Sequence, residues 1–186
     1  MKSMKKGVLI QGPISKWTKD IIHEHQKKHP DAHILLSTWT TDKIDNISCD
    51  IIQTNPPKIP SPHFSTVNFQ IVGTQEGLKK IDADIILKCR SDQFIHNKQI
   101  FDIFEKFCPK NKIMIPNYGT YESIDFRASD FCQISTKSVL SEYWNTLPLF
   151  DGSFAVEAGT YMTKNYIKKV KNNIEPWKDA LKKYFF

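Results

Sequence analysis

Apolar residues in this chain fall into short runs separated by stretches in which they recur at helical spacing. GVLIQGP (7–13) is an apolar run closed by Gly-Pro and predicts a strand. Ile14, Trp17, Ile21 and Ile22 then follow the helical period until Pro30 stops it. AHILLSTW (32–39) and CDIIQTN (49–55) predict a second and a third strand, and the proline-rich NPPKIPSPHF (55–64) a loop. A helix is expected across 65–81 with Val67, Ile71, Leu78 and Ile81 inward, although Gly73 and Gly77 weaken it. Asp84–Arg90 is the fourth strand. NKQIFDIFEKF (97–107) places Ile100, Phe101, Phe104 and Phe107 on one helical face. KIMIPN (112–117) and FCQIS (131–135) read as strands, and 136–147, 156–173 and 175–186 as helices.

Strand–helix alternation over the first two thirds predicts an α/β fold, a mostly parallel sheet flanked by helices. At 186 residues, with no internal repeat, the chain is expected to form one domain. No apolar run approaches the roughly 20 residues of a membrane-spanning helix. The N-terminal MKSMKKGVLI is basic and then apolar, but its apolar part is short and no small-residue cleavage site follows. It reads as a tail into the first strand. Cys49, Cys89, Cys108 and Cys132 form no C-x-x-C pair, so free thiols in a reducing, cytoplasmic setting are expected rather than zinc or disulfides.

The net charge of +6 is uneven. Residues 164–186 hold seven lysines against Glu175 and Asp179, while residues 1–163 are nearly balanced. A dispersed nucleic-acid surface is therefore not expected. In the C-terminal segment Trp177, Leu181 and Phe185 form a stripe beside Lys178, Lys182 and Lys183. Such a helix either packs its stripe on the domain or lies peripherally on an anionic membrane, which would be the inner face of the cell membrane.

The strand ends carry the candidate chemistry. They are Gln11-Gly12-Pro13, Ser37-Thr38-Trp39, Thr54-Asn55-Pro56 and Arg90-Ser91-Asp92. In a parallel sheet these four clusters meet at one edge, outside the carboxyl ends of the strands, where open α/β sheets bind ligands. Lys88, Arg90 and Asp92 share one side of the extended chain. Guanidinium, ammonium, carboxylate and indole suit a nucleotide diphosphate, with Asp92 holding a divalent cation. The plain alternatives are turn chemistry and an Arg90–Asp92 surface ion pair. G-x-G-x-x-G, G-x-x-x-x-G-K-[ST] and G-x-S-x-G are all absent, which argues against classical dinucleotide, P-loop and α/β-hydrolase enzymes.

VLIQGPI (8–14), ILLSTW (34–39), NFQIVGTQEGL (68–78) and ILKCRSD (86–92), in this order, resemble the WavE family of lipopolysaccharide-synthesis proteins. SDFCQISTKSVLSEYW (129–144) and VEAGTYMTKNYI (156–167) resemble its later blocks more loosely. The resemblance implies a GT-A-like fold, that of nucleotide-diphospho-sugar transferases. It implies a nucleotide-binding half over 7–95, an acceptor half over 96–163 and basic C-terminal helices over 164–186. It also implies a glycosyltransferase moving a sugar from a nucleotide sugar to a surface polysaccharide or lipid-linked glycan.

The resemblance puts Asp92 where GT-A enzymes carry an Asp-x-Asp ligand of Mn²⁺ or Mg²⁺. Position 90 is Arg, however, and every histidine lies at or before His96. A metal-independent variant, with Lys88 and Arg90 neutralising the leaving group, is the alternative. The sugar-nucleotide set is then Gln11, Gly12, Pro13, Ser37, Trp39, Asn55, Asn68, Gln70, Lys88 and Arg90. Asp130 and Glu157, in the later blocks, are the expected acceptor bases, each with a helix cap or solvated acid as its plain alternative. A non-catalytic sugar-nucleotide or glycan-binding module with a degenerate metal site is the competing class. A nucleotidyltransferase is a third, without the Gly-rich, Arg-containing N-terminal loop expected of one.

Overall fold

The computed structural model describes residues 4–186; the start of the expected N-terminal tail, residues 1–3, lies outside the described residues. Five strands form one sheet: β1 (Lys6–Gln11), β2 (His33–Trp39), β3 (Asp50–Thr54), β4 (Ile85–Arg90) and β5 (Cys132–Thr136). Their order is β3-β2-β1-β4-β5. The first four are mutually parallel and β5 runs antiparallel to β4. The helices are α1 (Thr18–Lys28), α2 (Val67–Lys80), α3 (Ile100–Phe107), α4 (Lys137–Asn145), α5 (Ala158–Asn165) and α6 (Trp177–Tyr184). α5 continues into a π-helical turn, Tyr166–Val170. The α/β architecture is the expected one.

β1 and β4 are apolar without alternation because helices cover both faces of the sheet. Val8, Ile10, Leu87 and Cys89 pack with Ile21, Ile22, Phe101 and Phe104 of α1 and α3. Leu9, Leu35 and Ile86 point the other way and pack with α2, α4, α5 and α6. The glycines of α2 serve that second layer. A Cβ on Gly77 would lie 2.3 Å from Leu9 Cδ1, and one on Gly73 2.8 Å from Gln11 Cγ. Their absence lets the helix seat on β1, which offsets a helix-propensity cost of about 1 kcal/mol each. Ser37 Oγ donates to the Gly73 carbonyl at 2.7 Å and fixes the same contact.

Three local expectations are corrected. The first helix starts at Thr18, not Ile14, and Trp17 stands at its entrance, about half exposed. Pro13 and the turn closed by Thr18 N to Ser15 O delay the helix. Phe107, in the last turn of α3, is exposed and not in the core. KIMIPN forms no extended strand. Met114 bridges Ile134 and Ile113 bridges Phe185, so two different partners hold this segment for a residue or two each. FCQIS forms the expected strand, as β5 at the sheet edge, antiparallel to β4.

The C-terminal stripe packs inward. Trp177 and Phe185 are buried, Leu181 is half-buried against the same core, and Trp177 Nε1 donates to the Tyr121 carbonyl at 2.8 Å. Lys178 and Lys183 face outward and pair with Glu122 and Glu175. All four cysteines are free thiols. Among the described residues no helix is long and apolar enough to cross a membrane.

Candidate functional site

The strand order makes a switch point between β1 and β4. From β1 the chain runs outward to β2 and β3, then returns to β4 on the other side. Loops leaving β1 and β4 diverge there and leave a crevice. That crevice is a cleft of about 540 Å³, lined among others by Gln11, Gly12, Pro13, Trp39, Gln70, Arg90 and Asp92. The expected meeting of the strand tips therefore occurs for six of the predicted residues, and Gln70 joins them from α2. Pro56 brings in the end of β3, while Asn55 is exposed and accepts from Thr40 Oγ1 at 2.9 Å.

Gly12 is required by geometry. Its φ is +133°, and a Cβ would meet Ser91 Oγ at 2.6 Å. Gly12 N donates to the Ser37 carbonyl and Ser91 N to the Gln11 carbonyl. Ser91 Oγ donates to the Pro13 carbonyl at 2.7 Å, and Thr18 Oγ1 to the Ser91 carbonyl at 3.0 Å. Two divergent loops are thus stitched into one rim. These amides are already bonded, so side chains supply the cleft's ligand chemistry.

At the rim Arg90 holds Asp92 with two bonds, Nε to Oδ1 at 2.9 Å and the terminal nitrogen to Oδ2 at 2.7 Å. The Arg90 guanidinium beside it holds the Asp92 carboxyl below the usual carboxylate range, and Asp92 in turn raises Arg90. Both side chains are more than a third exposed. Such a pair contributes about 1 kcal/mol or less. A phosphate offering the same bidentate geometry can therefore displace the carboxylate.

Without substrate phosphates, the ligands around Asp92 do not fit a divalent ion. Both Asp92 oxygens are bonded to Arg90, whose positive charge stands where the ion would. Asp42 also lines the cleft, but its Oδ2 accepts from Ile14 N, Trp39 N and Thr38 Oγ1. Among the described residues no three His, Cys, Asp or Glu side chains cluster so as to hold a metal. Mn²⁺ and Mg²⁺ keep water and share substrate phosphates, so a single rim carboxylate would hold one only once it leaves Arg90 and a diphosphate is bound.

Below the rim is a buried polar layer. Gln70 lines the cleft, and its Nε2 donates to Asp130 Oδ2 at 2.7 Å. Lys88 is fully buried, with Nζ 3.5 Å from Gln70 Oε1, 3.4 Å from the Asp130 carbonyl and 4.7 Å from the centre of the Trp144 ring. Burial pushes its pKa down to about 8, against the opposing pull of Asp130. Lys88 therefore lies under the cleft floor, which corrects its reading as a direct phosphate contact. It braces Gln70 and Asp130 from behind.

Three other predicted residues have internal roles. Ser37 is fully buried against α2. Asn68 is buried and clamps Phe150, donating to its carbonyl at 2.8 Å and accepting from its amide at 2.7 Å. Glu157 caps α5, accepting from Gly159 N, Thr160 N and Thr160 Oγ1. It lines a different cavity. The cap, not a base in the cleft, is its place.

Sequence reasoning missed the cleft's apolar lip. Ile59 and Phe64 come from the proline-rich loop and are largely exposed. Phe69, from α2, packs edge-on to Trp39 with ring centroids 5.5 Å apart. Phe69 follows Asn68 in NFQIVG with no signal to separate it from a core position. Asp42 lies three residues past Trp39 in a polar turn, and that turn was the only available signal.

Residues 7–177 match the family model described as WavE lipopolysaccharide synthesis. No curated protein matches the chain. Among solved structures, a nucleotidyl transferase from Methanothermobacter thermautotroptrophicus superposes with a TM-score of 0.55 at 11% identity, covering 97% of this chain and 96% of that one. A cytidylyltransferase from Leptospira borgpetersenii gives 0.55 at 14% identity, covering 98% and 75%. The glycosyltransferase GlyE of Streptococcus pneumoniae gives 0.52 at 13%, covering 90% of this chain but only 44% of its own. The fold is that of nucleotide-sugar transferases. At these identities the likeness concerns the fold alone.

Proposed function

This chain belongs to the WavE lipopolysaccharide synthesis family, and from that membership we propose that it is a glycosyltransferase using a nucleotide sugar. Its acceptor is a surface polysaccharide or lipid-linked glycan. The observation that carries the reading is the Arg90–Asp92 pair in the switch-point cleft, which the Trp39–Phe69 aromatic pair also lines. The aromatic wall receives base or sugar, and Arg90 exchanges Asp92 for the diphosphate.

The acceptor hydroxyl oxygen attacks the anomeric carbon, and the bond from that carbon to the phosphate oxygen breaks. Its electron pair leaves with the nucleotide, and Arg90 stabilises the resulting charge. Asp130, held by Gln70, takes the hydroxyl proton. Lys88 keeps Gln70 and Asp130 in place, and no step requires a metal.

Calorimetry with UDP-, GDP- and CMP-sugars tests the reading. At least one should bind, and Arg90→Ala should weaken it by tenfold or more, the loss of charge-assisted bonds worth about 1.5–3 kcal/mol. No binding by any of the panel would overturn it. A second reading, a sugar-nucleotide-binding module without turnover, is favoured by the engagement of Asp42 and Asp92 in internal bonds. Binding without transfer or hydrolysis would select it.

A further inference from the structure

A second large cavity, about 650 Å³, lies between the loop after α4 and the helix α5 with its π-helical continuation. Its apolar side is rigid. Phe150 lies edge-on to both Phe154 and Tyr161, each at 5.3 Å between centroids. Asn68 pins Phe150 through both of its backbone polar groups. Phe154 leaves about half its surface open. A half-open aromatic ring such as Phe154 suits the C–H face of a pyranose, because the negative π-cloud attracts those polarised hydrogens.

The polar side is cationic. Lys164, Lys168 and Lys169 line the cavity and are exposed. Ion pairs among the described residues engage Lys171, Lys178 and Lys183 of the same segment, but none of these three. Lys168 also stands over the Phe126 ring, 5.5 Å from its centre. The two acids of the lining, against its three lysines, leave it with a formal charge of +1 and are bonded to groups other than these lysines. Asp151 is bonded to Ser153 N at 2.9 Å and to Ser153 Oγ at 2.6 Å, and Glu157 is the α5 cap. The π-helical turn, a feature often found at functional sites, carries Lys168 and Lys169.

The cavity adjoins the sugar-nucleotide cleft. Gly152 packs on Ser61 so tightly that a Cβ would fall 2.5 Å from Ser61 N, and the Gly152 carbonyl accepts from His63 N at 3.1 Å. Ser61 and His63 belong to the loop that carries Ile59 and Phe64, the lip of the cleft. That loop thus lies beside both.

We propose that this second cavity is the acceptor site and that it selects a saccharide bearing an anionic group, with Phe154 under the ring and Lys164, Lys168 and Lys169 around the charge. This rests on the first cleft being the sugar-nucleotide site. The lysines and Phe154 are exposed, so substituting them leaves the core intact.

The test is NMR titration of the full chain with glucose 6-phosphate, glucuronate, glucose and inorganic phosphate, beside a nucleotide-sugar titration. The expected result is that an anionic sugar shifts Phe154, Lys164 and Lys168, at lower concentration than glucose or phosphate alone. Lys164→Gln/Lys168→Gln/Lys169→Gln should weaken that binding about tenfold, and Phe154→Ala should weaken it too, while neither changes nucleotide-sugar affinity. The phosphate and carboxylate arms tell which anion is preferred. If anionic sugars bind no better than glucose while nucleotide sugar binds normally, the acceptor site is wrong and the cleft stands. If anionic sugars bind here but no nucleotide sugar binds at all, the cleft reading fails and the acceptor role fails with it.

Discussion

Gln70 Nε2 donates to Asp130 Oδ2 at 2.7 Å, and so joins a side chain of the cleft wall to a carboxylate 60 residues further along the chain. The bond makes a specific demand on variants. Asp130→Asn should cut transfer by about 10²–10⁴, the usual contribution of a positioned base, and leave nucleotide-sugar affinity unchanged. Gln70→Ala should give a smaller loss in turnover by releasing Asp130. Steady-state transfer assays beside calorimetry separate the two effects, and full turnover in Asp130→Asn would remove Asp130 from the mechanism.

The rim's one open carboxylate is bonded to arginine on both oxygens, and this predicts metal independence. Nucleotide-sugar affinity and turnover should be the same in EDTA as in Mn²⁺ or Mg²⁺. Activity that vanishes in EDTA and returns with Mn²⁺ would show that substrate completes a metal site at Asp92.

Packing of α2 on β1 predicts an effect opposite to helix propensity. Gly77→Ala improves propensity by about 1 kcal/mol but forces a Cβ to 2.3 Å from Leu9 Cδ1. Overpacking should dominate, with a net loss of about 1–3 kcal/mol and a fall of several degrees in Tm. Thermal denaturation measures it. An unchanged or raised Tm would mean that β1 and α2 are less closely seated.

His25 predicts how stability responds to acid. It is a buried residue of α1, with Nε2 3.8 Å from Cys89 Sγ and its ring stacked on His29 at 5.9 Å. Glu24 and Lys28 are the other charges acting on it. Burial pushes its pKa down to about 4, with His29 adding to the shift and Glu24 opposing it. The unfolded chain, near 6.5, then binds more protons across that interval. Stability is full above pH 6.5 and should fall as pH drops toward 4, by about 3 kcal/mol for this group. Urea denaturation at several pH values measures the slope, and His25→Leu should flatten it.

Much of this was readable in the sequence, for identifiable reasons. Ile85-Ile86-Leu87 and Val8-Leu9-Ile10 are uninterrupted apolar runs, the signature of strands covered on both faces, and β1 and β4 are such strands, side by side within the sheet. The polar tips after those runs placed Gln11, Arg90 and Asp92 in one cleft. Contacts between distant segments were not readable. Lys88 looks the same in sequence whether it faces solvent or Trp144. Asn68 appeared as a ligand contact because its partner, Phe150, lies 82 residues away. Phe64, Phe69 and Asp42 reach the cleft from a loop, a helix and a turn, so no periodicity marks them. Ile113 and Met114 have strand-like residues, but their partners are the last residues of the chain on one side and β5 on the other.

The central claim is that Arg90 exchanges Asp92 for the phosphates of the nucleotide, and the most direct measurement is nucleotide-sugar affinity in Asp92→Asn. Asparagine cannot hold the guanidinium as a carboxylate does, and it removes a negative charge beside the phosphates. The account therefore predicts affinity equal to or tighter than that of the unsubstituted protein. Loss of binding and turnover in Asp92→Asn would contradict it and make the carboxylate itself the ligand-holding group.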